Sequence, residues 1–302
     1  MTVAIGFFDG VHLGHQAILA GADVALTFEN HPLSFLAPER APRLIMSWEE
    51  RAKAIQALGV LVTAIDFDAE IANLSPVDFL QRLRNYAAVW SEYLKIPAEP
   101  LQIRCGANWR FGKGGAGDAA FACAHGIETT VVPYAVYKDE PVSSTRVRAA
   151  LEAGAIEDAA AMLGRPYRIS GEVFAGKGQG KVRGYPTVNV RPPYRPSRGR
   201  RPTQPLGRAS SPVASAVCLP LGVYAVDVGG IKAIANYGRA PTFKDAAWAD
   251  PVWEIHFLSP PPALDTPSLA FSVLTFIRPE RQFASLEELQ RQIALDCATI
   301  RA

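Results

Sequence analysis

An α/β unit followed by an all-β unit with a terminal helix is the architecture this sequence predicts, and the spacing of its apolar runs carries the prediction. In the first half, short apolar runs alternate with helical patterns. Beyond Arg165 such runs follow one another with no helix between them. The length of 302 residues allows each unit a core of its own.

Taken in order, strand-like runs occupy 2–5, 24–28, 60–66, 101–104 and 129–133, with helical patterns notably at 47–58 and 76–86. Strands separated by helices predict a parallel sheet covered on both faces. A helical stretch from 144 to 163, interrupted at Gly154 and stopped by Gly164-Arg165-Pro166, bridges the halves. Six further runs, at 169–174, 187–190, 223–228, 231–236, 253–258 and 269–276, predict an antiparallel sheet or barrel. Ser285, with Glu288 three residues on, has capping-box spacing and opens the closing helix. The expected domains are 1–164 and 165–302. Residues 191–217 are rich in Pro, Arg and Ser, contain no acidic residue, and predict a surface loop. No internal repeat is present.

A 49% hydrophobic and 20% charged composition is that of an ordinary globular protein. The net charge of +2 argues against a nucleic-acid or membrane partner and confines anion binding to local sites. No apolar stretch approaches the ~20 residues of a membrane span, and the opening residues, which lack a charged n-region and an apolar h-region, predict no signal peptide. Cys105, Cys123, Cys218 and Cys297 lack metal-ligand or disulfide spacing, which predicts reduced thiols in a cytoplasmic protein. Nothing in the sequence assigns an oligomeric state.

The densest motif is Gly6-Phe7-Phe8-Asp9-Gly10-Val11-His12-Leu13-Gly14-His15, directly after the first strand. Gly10 and Gly14 let a backbone approach a phosphate, and the N–H groups of a helix start suit an anion. His12 and His15, three apart, share a helix face, where imidazoles can stabilise charge building on phosphate oxygens. A glycine-rich turn with paired histidines is equally compatible with a structural or metal-binding pair. Ser143, Ser144 and Thr145 at a helix start, followed by Arg146 and Arg148, form a second anion site or a plain N-cap with solvated arginines.

The ten-residue string resembles the His-x-Gly-His signature of the nucleotidyltransferase superfamily, and its flanks are similar to the FMN adenylyltransferase branch. Thr27-Phe28-Glu29-Asn30-His31-Pro32 resembles that branch's second-strand motif. The stretch from Gly106 through Asn108, Trp109 and Arg110 to Lys113 resembles its flavin-contacting segment, and Val142 to Arg148 its Ser-Ser-Thr-x-Ile-Arg motif. The resemblance implies that His12, His15 and Arg148 are catalytic. It also implies that Gly6, Phe7, Phe8, Asp9, Gly10, Gly14, Ser143, Ser144, Thr145 and Arg146 bind ATP, and that His31, Asn108, Trp109 and Arg110 bind the flavin. Two departures are visible. Residues usual before the first strand are absent, and few residues separate His15 from Val24, so the first helix is expected to be short or replaced by a loop.

In the second half, Gly176, Lys177, Gly178, Gly180, Lys181 and Gly184 form a pliable basic loop that could wrap phosphates, although composition alone favours a solvated turn. It runs into Pro186-Thr187-Val188-Asn189. Thr187 and Asn189 are two apart, so on a strand they share a face. Pro-Thr-Val-Asn resembles the Pro-Thr-Ala-Asn motif of riboflavin kinases, with Val188 in place of the usual Ala. Segments 222–226 and 235–243 are close to that family, and Trp253-Glu254-Ile255-His256 resembles its Glu-x-His motif. The resemblance implies that Glu254 is the catalytic base, that Thr187 and Asn189 support Mg²⁺, and that the glycine-rich loop with Pro186 binds ATP. Together the matches imply a Rossmann-like nucleotidyltransferase domain joined to a six-stranded riboflavin-kinase-like β-barrel with a terminal helix. They imply a bifunctional enzyme using Mg²⁺ and ATP, with riboflavin, FMN and FAD as substrates and products.

Overall fold

A computed structural model describes residues 1–174, 187–191, 217–238, 251–257 and 267–301. By internal contacts the chain divides into two compact units, Met1–Ser144 and Thr145–Ala302.

The first unit is built on five parallel strands: β1 (Thr2–Ile5), β2 (Val24–Phe28), β3 (Leu61–Ile65), β4 (Gln102–Gly106) and β5 (Glu128–Val132). Their order is β3-β2-β1-β4-β5. The helices are α1 (Leu13–Leu19), α2 (Pro32–Leu36), α3 (Trp48–Gln56), α4 (Ala69–Asn73), α5 (Pro76–Leu94) and α6 (Ala119–Ala124). Near-continuous apolar runs in β1 and β2 follow from burial on both faces. Val3, Ile5, Val24 and Leu26 pack with Phe79, Leu80, Leu83 and Trp90 of α5. Ala4 and Ala25 face the other way, toward Leu19 of α1 and Ile55 of α3.

Local signals fix the helix starts. Ser47 and Glu50 close a reciprocal capping box ahead of α3, each bond 3.0 Å. Ser75 accepts the N–H of Asp78, with Pro76 in the first turn of α5. That helix runs past the expected 86 because Ala87 and Trp90 continue the buried stripe set by Leu83. The short link after His15 still forms a seven-residue helix, α1, and Arg104 donates to its last-turn carbonyls at Ala17 and Ile18. Strand order reverses between β1 and β4. This opens a crevice beyond their carboxyl ends, the usual ligand position of an open α/β sheet.

Helix α7 (Ser144–Glu152) leads from the first unit into the second, and α8 (Ile156–Leu163) follows the break at Gly154. The barrel strands are β8 (Tyr167–Phe174), β9 (Thr187–Arg191), β10 (Gly222–Val228), β11 (Ile231–Gly238), β12 (Val252–Phe257) and β13 (Ser268–Pro279), with β6 (Val136–Tyr137) and β7 (Glu140–Pro141) forming a small hairpin in the first unit. The barrel closes antiparallel in the order β10-β11-β12-β9-β8-β13. Periodicity changes near Arg165, whereas the contacts divide at Ser144. The difference arises because α8 buries Ile156, Ala159, Met162 and Leu163 and packs on β8 and β13. The barrel interior is aromatic: Trp253 lies 4.5 Å from Tyr237, 5.3 Å from Tyr224 and 5.2 Å from Phe271, ring centre to ring centre.

Helix α9 (Leu286–Arg301) covers the outer face, packing Leu289, Ile293 and Cys297 on Val223, Ala225 and Ile234. Ser285 caps it by accepting the N–H of Glu288 at 3.2 Å. The Glu288 carboxylate reaches back to Ala284 N–H, one residue before the cap. Asp296, 3% exposed, takes a forked bond from Arg278 and a further one from Gln292, fixing α9 to β13. Asp296→Ala removes the acceptor of this part-exposed guanidinium and is expected to cost about 1–3 kcal/mol. A fall in the urea midpoint of unfolding checks it.

Candidate active sites

The first site grows from the turn after β1. Phe8, Gly10 and Val11 have φ of 58°, 85° and 44°, the left-handed region that a β-branched residue such as Val11 rarely adopts. Tertiary burial holds the turn: Phe8 is 0% and Val11 2% exposed, and Val11 N–H bonds to Phe8 O at 3.0 Å. Gln16 donates to Val11 O at 2.9 Å. Asp9 is buried, and its carboxylate accepts the N–H groups of Ile45 and Met46, tying the turn to the segment before α3. The backbone oxygen of Asp9 takes the Ser144 hydroxyl at 2.8 Å, which brings the start of α7 to this turn. Thr145, Arg146 and Arg148 continue along α7, with Arg148 one helical turn beyond Ser144.

His12 is the N-cap of α1: its Nδ1 accepts His15 N–H at 3.3 Å, which leaves the proton on Nε2. The His12 and His15 rings stack at 3.6 Å, and Phe8 meets His15 edge-on at 5.4 Å. Gly14 permits this arrangement, because a Cβ there would stand 3.2 Å from the His12 ring. Burial, with His12 and Arg51 nearby, holds the His15 imidazole well below the usual histidine value of 6.5. Its Nδ1 is enclosed and makes no hydrogen bond among the described residues. Stacked side by side, with His12 carrying its proton on Nε2 and His15 held toward its neutral form, the two rings can meet phosphate oxygens as hydrogen-bonding groups.

The sign of the coupling to stability follows. With a folded pKa below the unfolded one, the native state binds fewer protons, so this contribution is full above about pH 6.5 and is lost as pH falls below it. Wild-type protein is therefore expected to lose more stability between pH 7 and pH 5 than His15→Gln does. Urea unfolding midpoints at the two pH values check it.

Around this turn gather the ends of the neighbouring strands. His31 caps α2 and meets the Phe7 ring at 4.6 Å. Asn30 exchanges two bonds with the Phe67 backbone, at 2.9 and 2.7 Å, joining the loops after β2 and β3. Arg51, 1% exposed, donates to Phe7 O, Phe28 O and Glu29 O, and its guanidinium lies 4.0 Å over the Phe7 ring. Sequence reasoning missed Arg51, because an arginine on an amphipathic helix is indistinguishable from a solvated one. Across the crevice Asn108 Oδ1 sits against Gly106, beside Ile18 of α1. Trp109 stacks on Phe111 at 4.6 Å, while Arg110 is exposed and bonds Trp109 O. The β1 turn, His31 and Asn108 therefore stand around one sheet edge.

The second site lies on the outside of the barrel. Glu254 pairs in register with Asn189 on one side and Asn236 on the other, and His256 pairs with Thr187 and Ile234. Directly opposite residues share a face, so Thr187, Asn189, Asn236, Glu254 and His256 form one polar patch. Val188 pairs with Ile255 and is buried, on the opposite face from Thr187 and Asn189. Glu254 Oε2 lies 4.0 Å from His256 Nε2. Glu254 opens onto a cavity of about 1050 Å³, lined also by Asn236, Ile234, Phe283, Leu289 and Ile293. Arg278, Glu280, Arg281, Gln282 and Asp296 also line it, so apolar side chains stand beside a largely polar and charged wall. Gly176, Lys177, Gly178, Gly180, Lys181, Gly184 and Pro186 lie outside the described residues, as does nearly all of the basic 191–217 segment.

Comparison with known proteins follows the same division. Residues 1–146 match the FAD synthetase family and residues 163–302 the riboflavin kinase family. The bifunctional riboflavin kinase/FMN adenylyltransferase of Escherichia coli K12 is 31% identical over 320 residues, covering 99% of this chain and 91% of that protein. The protein of that name from Bacillus subtilis is 29% identical, covering 98% and 90%. A crystal structure titled macrolide-efflux protein, from Streptococcus pneumoniae, shares the fold with a TM-score of 0.75 and 25% identity, over 99% of this chain and 93% of that one. Among the described residues, no helix of this chain is long and apolar enough to cross a membrane. The chain belongs to the bifunctional riboflavin kinase/FMN adenylyltransferase family.

Proposed function

We propose that this chain phosphorylates riboflavin to FMN at the barrel site and adenylates FMN to FAD at the site after β1. The observation that carries the reading is that His12, His15, His31 and Asn108 lie in the first unit and within the FAD synthetase match, while Thr187, Asn189 and Glu254 lie in the second unit and within the riboflavin kinase match. Residues 1–164 are assigned to the adenylyl transfer and 165–302 to the kinase reaction.

In adenylyl transfer, a phosphate oxygen of FMN attacks the α-phosphorus of ATP and pyrophosphate leaves. The nucleophile is already ionised, so no strong base is required and the work is positioning and charge stabilisation. His12 and His15 donate to the phosphate oxygens as charge builds, and Ser143, Ser144, Thr145, Arg146 and Arg148 hold the nucleotide phosphates. The backbone from Gly6 to Gly14 cradles the nucleotide. Asp9 acts there as the brace of the turn, since its carboxylate is engaged by Ile45 and Met46. His31, Asn108, Trp109 and Arg110 receive the flavin.

In the kinase reaction, Glu254 takes the proton of the ribityl 5′-hydroxyl as that oxygen attacks the γ-phosphorus and ADP leaves. Gly176, Lys177, Gly178, Gly180, Lys181, Gly184 and Pro186 bind the ATP of this reaction. Thr187 and Asn189 offer neutral oxygens on the face that carries Glu254, a donor set that fits Mg²⁺ when phosphates and water complete the shell. The ion would neutralise phosphate charge there. Among the described residues no cluster of three His, Cys, Asp or Glu competes for it. The expected location is the cytoplasm.

Purified protein incubated with riboflavin, ATP and Mg²⁺, followed by flavin chromatography, tests the reading. FMN and then FAD are expected. One product alone means a single working site, and neither means a binding protein without turnover.

A further inference from the structure

We propose that Glu280 is a positioning residue of the barrel cavity, a latch seated in the notch left by Gly238 that ties the cavity wall to the strand beside Glu254. The proposal rests on the reading of this cavity as the riboflavin site.

Asn236 Nδ2 donates to Glu280 Oε1 at 3.3 Å, joining residues 44 apart in sequence. A Cβ on Gly238 would stand 3.0 Å from that Asn236 nitrogen and 2.7 Å from Glu280 Cδ, and would overlap Oε1 outright. The carboxylate thus fills the space that any side chain at 238 would need. Asn236 is also the register partner of Glu254, so the latch fixes the side chain next to the proposed base.

Glu280 leads directly into Arg281, Gln282 and Phe283, which line the cavity. The adjacent residue is held to α9, where Arg281 lies 3.6 Å from Glu288 and 4.5 Å over the Phe283 ring. The wall therefore has two anchors, one on β11 through Glu280 and one on α9 through Glu288. Releasing the first loosens a surface that meets riboflavin in the ground state and the transition state alike. Such a loss raises KM and leaves kcat in place.

The test uses Glu280→Ala, Glu280→Gln and Gly238→Ala in the full chain. Riboflavin affinity is read from flavin fluorescence without ATP, and KM and kcat from FMN formation. Glu280→Gln keeps an oxygen that accepts from Asn236 and is expected to match wild type. Because Glu280 is exposed, Glu280→Ala and Gly238→Ala are each expected to weaken binding and raise KM about fivefold. Their kcat should stay within about twofold. Alanine at 238 displaces only the tip of a flexible side chain, so the fold should survive, and Glu280→Ala carries the test by itself if it does not. The double variant should be no weaker than either single, since both remove one bond. Unchanged affinity in Glu280→Ala, equal loss in Glu280→Gln, or additive losses overturn the latch. Wild-type protein that binds no riboflavin overturns the site reading with it.

Discussion

His15→Ala is expected to slow FAD formation from FMN by about 10²–10³-fold, the usual consequence of losing one transition-state donor. FMN formation from riboflavin should continue at the wild-type rate. The separation follows from the fold, because His15 lies in the unit ending at Ser144 and Glu254 in the unit beginning at Thr145. The ring also has packing partners, stacking on His12 at 3.6 Å and meeting Phe8 edge-on. His15→Asn, which keeps a polar donor with less ring volume, separates packing from charge stabilisation. Partial recovery of rate in that variant assigns the loss to the missing donor. Equal damage to both reactions in a folded protein would mean that one site serves both.

Glu254→Gln is expected to slow FMN formation by about 10²–10⁴-fold, the range for a general base. Gln keeps the length and hydrogen-bonding reach of Glu and cannot take the hydroxyl proton. Nucleotide affinity in the presence of Mg²⁺ should stay unchanged, because the oxygens assigned to the ion belong to Thr187 and Asn189. If affinity falls along with turnover, Glu254 supports the metal instead. FAD formation from supplied FMN serves as the internal control. Wild-type kinase turnover in this variant would show that the proton leaves by another route.

The architecture was legible because its signals are local or periodic. Val3-Ala4-Ile5 and Val24 to Phe28 are apolar runs too short for helices, and Ser47 with Glu50 is a start signal written in adjacent residues. The Glu254 row was legible because spacing of two on a strand dictates a shared face, whereas the histidines meet in a way that helix spacing does not describe: His12 stands before α1 as its cap, and His15 is on the first turn. What stayed hidden depends on pairings distant in sequence. Arg51 reaches back 44 residues to Phe7 O, Asn236 forward 44 to Glu280, and Asp296 is 18 from Arg278. No local composition distinguishes these side chains from solvated ones. The strain at Phe8 and Val11 was equally invisible, because left-handed backbone at such residues is imposed by burial and has no sequence signature. Asp9 shows the same dependence, since its carboxylate accepts the N–H groups of Ile45 and Met46, 36 and 37 residues on.

A series of two separable sites, with FMN as the product of one and the substrate of the other, is what the proposed function requires of this chain. It is tested most directly by supplying riboflavin, ATP and Mg²⁺ to His15→Ala, to Glu254→Gln, and to an equimolar mixture of the two, and following the flavins by chromatography. His15→Ala is expected to accumulate FMN and Glu254→Gln to leave riboflavin unchanged, while the mixture makes FAD. FAD formed at the wild-type rate by either variant alone, or no FAD from a mixture of folded variants when wild-type protein makes it, would contradict the account.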